Sequence, residues 1–204
     1  MKTCKSCGAV LSRNETKFED IIGQEHAKRA LEVALAGQHT ISFIGKDEAK
    51  ALAEWAVAHG LTAWADQKCP CGYFGEPAKE CTCTLLQVSK WQKRKAFQNA
   101  LNAEIVIECP PAYDYQVEAF VNGKRGEPEA AMLARIEAKG PIPEPTLDEA
   151  GKMLLNAAIR HLDLTSERVK SIISIAQTIA ALAKANKIET AHLAEAIQYR
   201  PHKY

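Results

Sequence analysis

The sequence predicts an α/β protein with a small parallel sheet of about three strands, a cysteine-rich zinc loop and a helical C-terminal part. Three observations carry that expectation. Short β-rich runs at 40–44, 61–65 and 104–108 alternate with helical segments, and strands separated by helices pair in parallel through right-handed crossovers. Cys69, Cys71, Cys81 and Cys83 crowd into one stretch around Gly72, Gly75 and Pro77. Beyond Pro141, Pro143 and Pro145, a stiff linker, the β-rich runs stop and helical periodicity takes over.

The bulk composition narrows the class. At 204 residues the chain suits one domain of ordinary size, or a domain with a small lid. With 47% apolar and 25% charged residues it has the material for a packed core. A net charge of +1 offers no global attraction to nucleic acid or to a membrane surface. No apolar run approaches the roughly 18 residues of a spanning helix, and the N-terminus shows no signal-peptide core. The expected compartment is therefore the cytoplasm, where paired cysteines serve metals rather than disulfides.

The elements follow in order. Residues 1–17 hold a knuckle, Cys4-Lys5-Ser6-Cys7-Gly8, that is half of a zinc ribbon. A helix over 25–36 places Ala27, Ala30, Leu31, Ala34 and Leu35 on one face and ends at Gly37. The run 40–44 reads as a buried strand stopping at Gly45, and an alanine-rich helix over 49–58 closes at His59-Gly60. Residues 61–65 form a second strand that leads into the cysteines. Thr84 is placed to cap one helix over 85–102, and the strand 104–108 ends at Pro110-Pro111. Tyr113, Asp114 and Tyr115 read as loop, 123–128 as loop and 129–138 as helix. Three helices complete the chain at 147–161, 166–185 and 191–199, the second capped by Thr165 or Ser166 and the third by Thr190. The implied units are 1–17, a core over 18–145 with its zinc loop at 69–83, and a helical unit over 146–204.

Two C-x-C pairs bring four thiolates together without a distant partner. Zinc favours four-coordinate thiolate sites, and such closed sites are structural rather than catalytic. An iron–sulfur cluster, redox thiols or no metal are the alternatives, and C-x-C is tighter than the usual C-x2-C knuckle. Cys4 and Cys7 either join this site, bind metal between two chains, or stay reduced and idle. Cys109 reads as a small buried residue at a strand end. Lys90, Trp91, Lys93, Arg94 and Lys95, followed by Phe97, combine basic and aromatic side chains. They form either a phosphate-contacting patch with Trp91 stacking on bases, or a solvated helix face with Trp91 and Phe97 packed inward. The second is the more common use of such a pattern. His161, His192 and His202 lack metal-ligand spacing, Arg200-Pro201-His202-Lys203 is a basic tail, and no residue pair supports nucleophilic or acid–base catalysis.

Several strings resemble the magnesium-chelatase-like AAA+ ATPases of the competence-associated type. They are Phe18-x-Asp20-Ile21-Ile22-Gly23-Gln24-Glu25-His26, Cys69-Pro70-Cys71-Gly72-Tyr73-Phe74-Gly75 with Glu80-Cys81-Thr82-Cys83-Thr84, and His192-Leu193-Ala194-Glu195-Ala196-Ile197-Gln198-Tyr199-Arg200-Pro201. A weaker match runs from Gly126-Glu127 to Arg135, and the stretch from Ala176 to Ala183, with the C-terminal string, resembles the family's helical lid. The resemblance implies an AAA+-like core with a C-terminal lid, ATP hydrolysis, and work in DNA processing or metal insertion. It also implies residues that this chain lacks. A phosphate loop needs G-x-x-x-x-G-K-[ST], whereas Gly45-Lys46-Asp47-Glu48-Ala49-Lys50-Ala51 is one residue short, with Ala49 for the second glycine and Ala51 for the magnesium-binding hydroxyl. Asp47 and Glu48 bring negative charge towards the phosphates, costing on the order of 1–4 kcal/mol each. Lys50 is left as a vestige of the phosphate lysine or as a surface lysine.

The acidic strand that holds magnesium is missing altogether. The arginine finger falls on Asn102, and the sensor-2 arginine on Glu167, with Arg168 one residue away. In the family's strand order 5-1-4-3-2, loss of strands two and three leaves 104–108, 40–44 and 61–65 adjacent, with a new edge at 61–65 that needs cover. The expected protein is thus a reduced AAA+-like core that is nucleotide-incompetent and not an ATPase. It would act as a zinc-stabilised binding or regulatory module on a full-length AAA+ relative or a DNA-processing assembly, with self-association open to it. The rival readings are an ATP binder with Lys46 and Lys50 on phosphate, and a DNA-binding module using the 90–95 patch.

Overall fold

The computed structural model describes residues 2–3, 10–11, 17–77 and 79–202. Near the N-terminus β1 (Lys2–Thr3) and β2 (Val10–Leu11) pair antiparallel, Lys2 opposite Leu11. Cys4 and Cys7, between these strands, lie outside the described residues. After a 3-10 turn at Phe18–Asp20 come α1 (Glu25–Gly37), β3 (Ile41–Gly45), α2 (Asp47–Ala58) and β4 (Ala63–Asp66). The cysteine loop follows, then α3 (Leu85–Gln92), α4 (Lys95–Leu101), β5 (Ile105–Cys109), α5 (Asp114–Val121) and α6 (Glu129–Glu137). The C-terminal helices are α7 (Glu149–Leu162), α8 (Ser166–Leu182) and α9 (Thr190–Gln198).

The sheet is parallel, in the order β4-β3-β5, with Ile41 opposite both Ala63 and Ile105. This is the arrangement expected from trimming one side of the larger sheet. The central strand is buried along both faces at Ile41, Ser42, Phe43 and Ile44, as a parallel sheet covered on both sides requires. The period of two divides its side chains. Ile41 and Phe43, with Ile105 and Ile107, join Leu31, Leu52 and Ile175 in the main core. Ile44 and Val106 face the other way, into a smaller cluster with Phe97, Ala100 and Ala103. The edge strand β4 is not bare: β2 and α2 both lie alongside it.

The C-terminal helices pack on α1 and on the N-terminal ends of the strands. Arg29 of α1 donates to Glu195 of α9 at 2.9 Å, and His39 Nε2 lies 2.9 Å from Thr178 Oγ1 of α8. The Val106 amide donates to the Tyr199 carbonyl at 2.8 Å, which occupies part of the outer edge of β5. Arg168 of α8 donates to the carbonyls of Ala103 and Glu104 at 2.8 and 2.9 Å and of Leu101 at 3.4 Å. These carbonyls precede β5, whereas Gly45 closes β3 at the opposite end. Arg168 therefore sits about 13 Å from the phosphate-loop position, a strand length away, and is spent on backbone.

Several expectations need correction. The helix read over 85–102 is two helices, because Arg94 adopts an extended backbone (φ −63°, ψ 142°). Its side chain reaches back to Asp66 at 2.7 and 3.0 Å. Asp114 and Tyr115 are not loop: α5 starts there, with the Tyr113 amide donating to the Gln116 side chain at 2.7 Å. α9 is capped by Glu189 rather than Thr190, its amide donating to His192 Nδ1 at 3.1 Å, so His192 serves a helix start. α8 is capped by Thr165, which accepts from the Arg168 amide. Arg200 is partly used within the fold, donating to the Ile197 carbonyl at 2.9 Å.

Candidate metal centre

β4 delivers the chain into the cysteine loop, and the local backbone turns the sulfurs inward. The Gly72 amide donates to the Cys69 carbonyl at 3.1 Å and to its sulfur at 3.2 Å. The Cys83 amide donates to Cys81 Sγ at 3.4 Å. Gly72 has φ +84°, and a Cβ there would meet Lys46 Cγ at 2.5 Å, so both the turn and the packing require glycine. The result is a cluster of Cys69, Cys71, Cys81 and Cys83 whose ligand atoms all lie within 4.8 Å of one another. Cys69 is buried and the other three are partly buried.

The spacing has chemical content. Four sulfurs at about 2.3 Å from one zinc ion sit about 3.8 Å apart in a tetrahedron. Cys69 and Cys71 are separated by 3.4 Å, Cys69 and Cys81 by 3.7 Å, and Cys71 and Cys81 by 3.6 Å. The cavity among them fits a single ion, whereas a cluster of several irons spreads its thiolates over several metal atoms. Burial opposes charge on Cys71, yet the backbone around Tyr73 and Thr82 and the neighbouring thiols bring it down to about 5. The Cys83 backbone favours charge on Cys81, but burial and the sulfurs of Cys71 and Cys69 push it up to about 12. Cys83 is raised, by burial first. One thiolate is readily held, and further ones repel it unless a cation enters. A divalent ion could bind all four and displace their protons. With four protein ligands on one ion no position would stay open for substrate, which is the arrangement of a structural site.

The loop is fastened to the sheet on several sides. Trp91 Nε1 donates to the Gln67 carbonyl at 2.8 Å and Gln92 Nε2 to the Lys68 carbonyl at 3.1 Å. Lys68 pairs with Glu108 of β5 at 2.7 Å and with Glu76 of the loop at 3.6 Å. Lys46 donates to the Tyr73 hydroxyl at 3.0 Å and lies 4.3 Å from its ring centroid. The Lys46–Tyr73 contact was not anticipated. The only sequence signal for it was an aromatic residue inside the cysteine string.

At the phosphate-loop position the geometry is sparse. β3 ends at Gly45 and α2 begins at Asp47, so one residue, Lys46, joins them. A phosphate cradle is a loop of several residues whose amides converge on the anion, and one linking residue forms none. Gly45 itself is packed against β5, where an added Cβ would stand 2.1 Å from the Cys109 carbonyl. Lys50 lies 3.6 Å from Asp47 one turn away, and Glu48 accepts from the Ala112 amide at 3.1 Å. The α2 N-terminus thus already carries two carboxylates.

In the basic stretch, Lys90, Lys93 and Lys95 are exposed. Arg94 lies 3.4 Å over the Trp91 ring and is bound to Asp66, while Phe97 is fully buried. Trp91 and Arg94 are thus used in holding the loop. Cys109 is fully buried at the end of β5, its thiol pushed up by burial. Among the described residues no helix is long and apolar enough to cross a membrane.

Comparison with known proteins agrees with this arrangement at both ends of the chain. Residues 17–53 match the family model described as magnesium chelatase, subunit ChlI, and residues 127–200 match that of its C-terminal part. Over 33 residues the chain is 58% identical to the competence protein ComM of Haemophilus influenzae, a stretch covering 16% of this chain and 6% of that protein.

Proposed function

Given that the chain belongs to the magnesium-chelatase-like AAA+ family, we propose that it is a nucleotide-incompetent member acting as a zinc-stabilised binding or regulatory module. The observation that carries this reading is the single residue between β3 and α2. Without a loop there is no ring of amides for a triphosphate. Lys46 is engaged by Tyr73, Lys50 faces Asp47, and Arg168 is held at the far end of the sheet. What remains is a surface-presenting scaffold with a metal clamp, and zinc is the ion we assign to four compact thiolates.

The partner we propose is a full-length AAA+ relative, engaged through the retained core and lid, in DNA processing. A thiolate site of this kind keeps its ligands in a reducing compartment, which favours the cytoplasm. Titration calorimetry with ATP and ADP in magnesium tests the first part. No heat of binding is expected at micromolar protein, and micromolar affinity would refute it. Elemental mass spectrometry tests the second: one zinc per chain is expected, falling to none in a Cys69→Ser, Cys81→Ser double variant. Protein purified without metal, or with iron, would overturn the zinc assignment.

A further inference from the structure

Among the described residues, the exposed apolar side chains are concentrated on one short helix. Of nine large ones, five (Tyr113, Tyr115, Val117, Phe120 and Val121) lie on α5 or its cap. α5 buries a single residue, and that one is polar: Gln116 donates to the Ile22 carbonyl at 2.9 Å. Apolar side chains gathered in water without intrachain cover mark an interaction site. At about 100° per residue, Phe120, Val117 and Val121 follow one another round the helix as an apolar arc, and Asp114 and Glu118 come next. Val117 is 53% exposed and Val121 77%.

On its inner side the arc runs into a groove of about 310 Å³ between α5, the Asp20–Ile22 turn and the start of α2. Ile21, Ile22 and Ala51 complete its apolar floor, and every charged residue that lines it is acidic: Asp20, Asp47 and Glu48. Asp20 and Asp47 pair with Arg125 and Lys50 at 3.2 and 3.6 Å. Among the described residues Glu48, Asp114 and Glu118 make no ion pair. The apolar face therefore runs between two acidic borders, one on α2 and one on α5. The chain itself shows how this face receives a cation: the Arg125 guanidinium lies 4.7 Å over the Phe120 ring while it pairs with Asp20.

We propose that this face takes a short basic amphipathic helix of a partner protein. Its apolar side chains lie on Ile22, Val117 and Phe120, and its lysines or arginines meet Glu48, Asp114 and Glu118. Docking of this kind is read from anchors at i, i+3 or i+4, and i+7 on the incoming helix. A small organic cation in the groove would leave Val121 in water, whereas a helical segment covers the whole arc. The partner is a second one, besides the AAA+ relative proposed above, and the inference rests on neither the zinc nor the nucleotide reading.

Fluorescence anisotropy of a labelled synthetic peptide with the metal-loaded full chain gives the readout. The probe is an alanine-based helix of about four turns, with leucines at i, i+3 and i+7 and lysines on both flanks; the control peptide carries glutamates in place of the lysines. The lysine peptide should bind about tenfold more tightly than the control, or better, and weaken as salt is raised. Val117→Lys sets a charge of the probe's own sign on the arc and should cost a similar factor. Glu118→Lys should weaken the lysine peptide and strengthen the glutamate one. Both sites are exposed, and an unchanged circular dichroism spectrum and Tm report that the variants are folded. Met153→Lys, at an exposed site on α7, should change nothing. No binding, equal binding of the two peptides, or indifference to Val117→Lys would each overturn the proposal. So would full displacement of the peptide by spermine, which would mark a site for small cations, or its exclusion by a second copy as the chain is concentrated.

Discussion

Replacing Arg168 with alanine separates a lid that is bolted down from a lid with a free arginine. The guanidinium makes two short charge-assisted bonds to the carbonyls of Ala103 and Glu104 and a longer one to Leu101. Bonds to charged groups contribute about 1.5–3 kcal/mol each. The two short ones share a single donor atom, so they do not add fully. Truncation also leaves carbonyls at the α4–β5 junction without this donor. A loss of about 3 kcal/mol follows, which at roughly 2–4 °C per kcal/mol in a chain of this size lowers Tm by about 6–12 °C. Arg168→Lys keeps a charge but not the planar fork, and should recover about half. Urea denaturation followed by circular dichroism measures both variants. A loss under about 0.5 kcal/mol for the alanine variant would show that the side chain is not pinned, and would reopen its candidacy as a nucleotide sensor.

Two further outcomes are expected. Glu32 is almost fully buried between Arg29 at 3.2 Å and Arg135 at 2.8 Å. Breaking such a set costs about 3–5 kcal/mol, and Glu32→Ala should fall at the low end because Glu195 and Glu127 still serve the two arginines. Chemical denaturation giving a change below about 1 kcal/mol would mean that the network behaves as a surface one. Burial holds the His39 imidazole below its ordinary value, partly offset by Glu104. The folded chain therefore binds fewer protons than the unfolded chain between the folded value and the ordinary imidazole value of about 6.5. Stability is full above that window and falls as pH drops through it, by at most about 1.4 kcal/mol per pH unit. His39→Gln should lose that part of the slope, and an unchanged slope would show that His39 is not its source.

The sheet could be read from sequence because parallel strands buried on both faces announce themselves as short apolar runs. Residues 40–44, 61–65 and 104–108 each match an observed strand within about two residues. The cysteine cluster was legible for a local reason: both pairs and the loop between them lie within one continuous stretch. Features that depend on distant partners were not. Nothing near Lys93 and Arg94 resembles a helix break, since it is Asp66 and the Trp91 ring that draw Arg94 aside. α5 was hidden because Pro110, Pro111 and two tyrosines resemble a loop, and its anchor, Gln116, takes meaning only from the distant Ile22 carbonyl. Arg168 could be assigned to a role only once the lid's seat on the strand ends was known.

If the chain is nucleotide-incompetent as proposed, the short passage from β3 to α2 decides what building a phosphate loop here would take. Exchanging Ala49 and Ala51 for glycine and threonine would restore two letters of a motif still one residue short, and leave the backbone as taut as before. Gly45 is wedged against the Cys109 carbonyl and Asp47 already begins the helix, so no slack can be borrowed from either side. On that reading a phosphate cradle would take inserted residues, a matter of chain length that no set of point substitutions can supply.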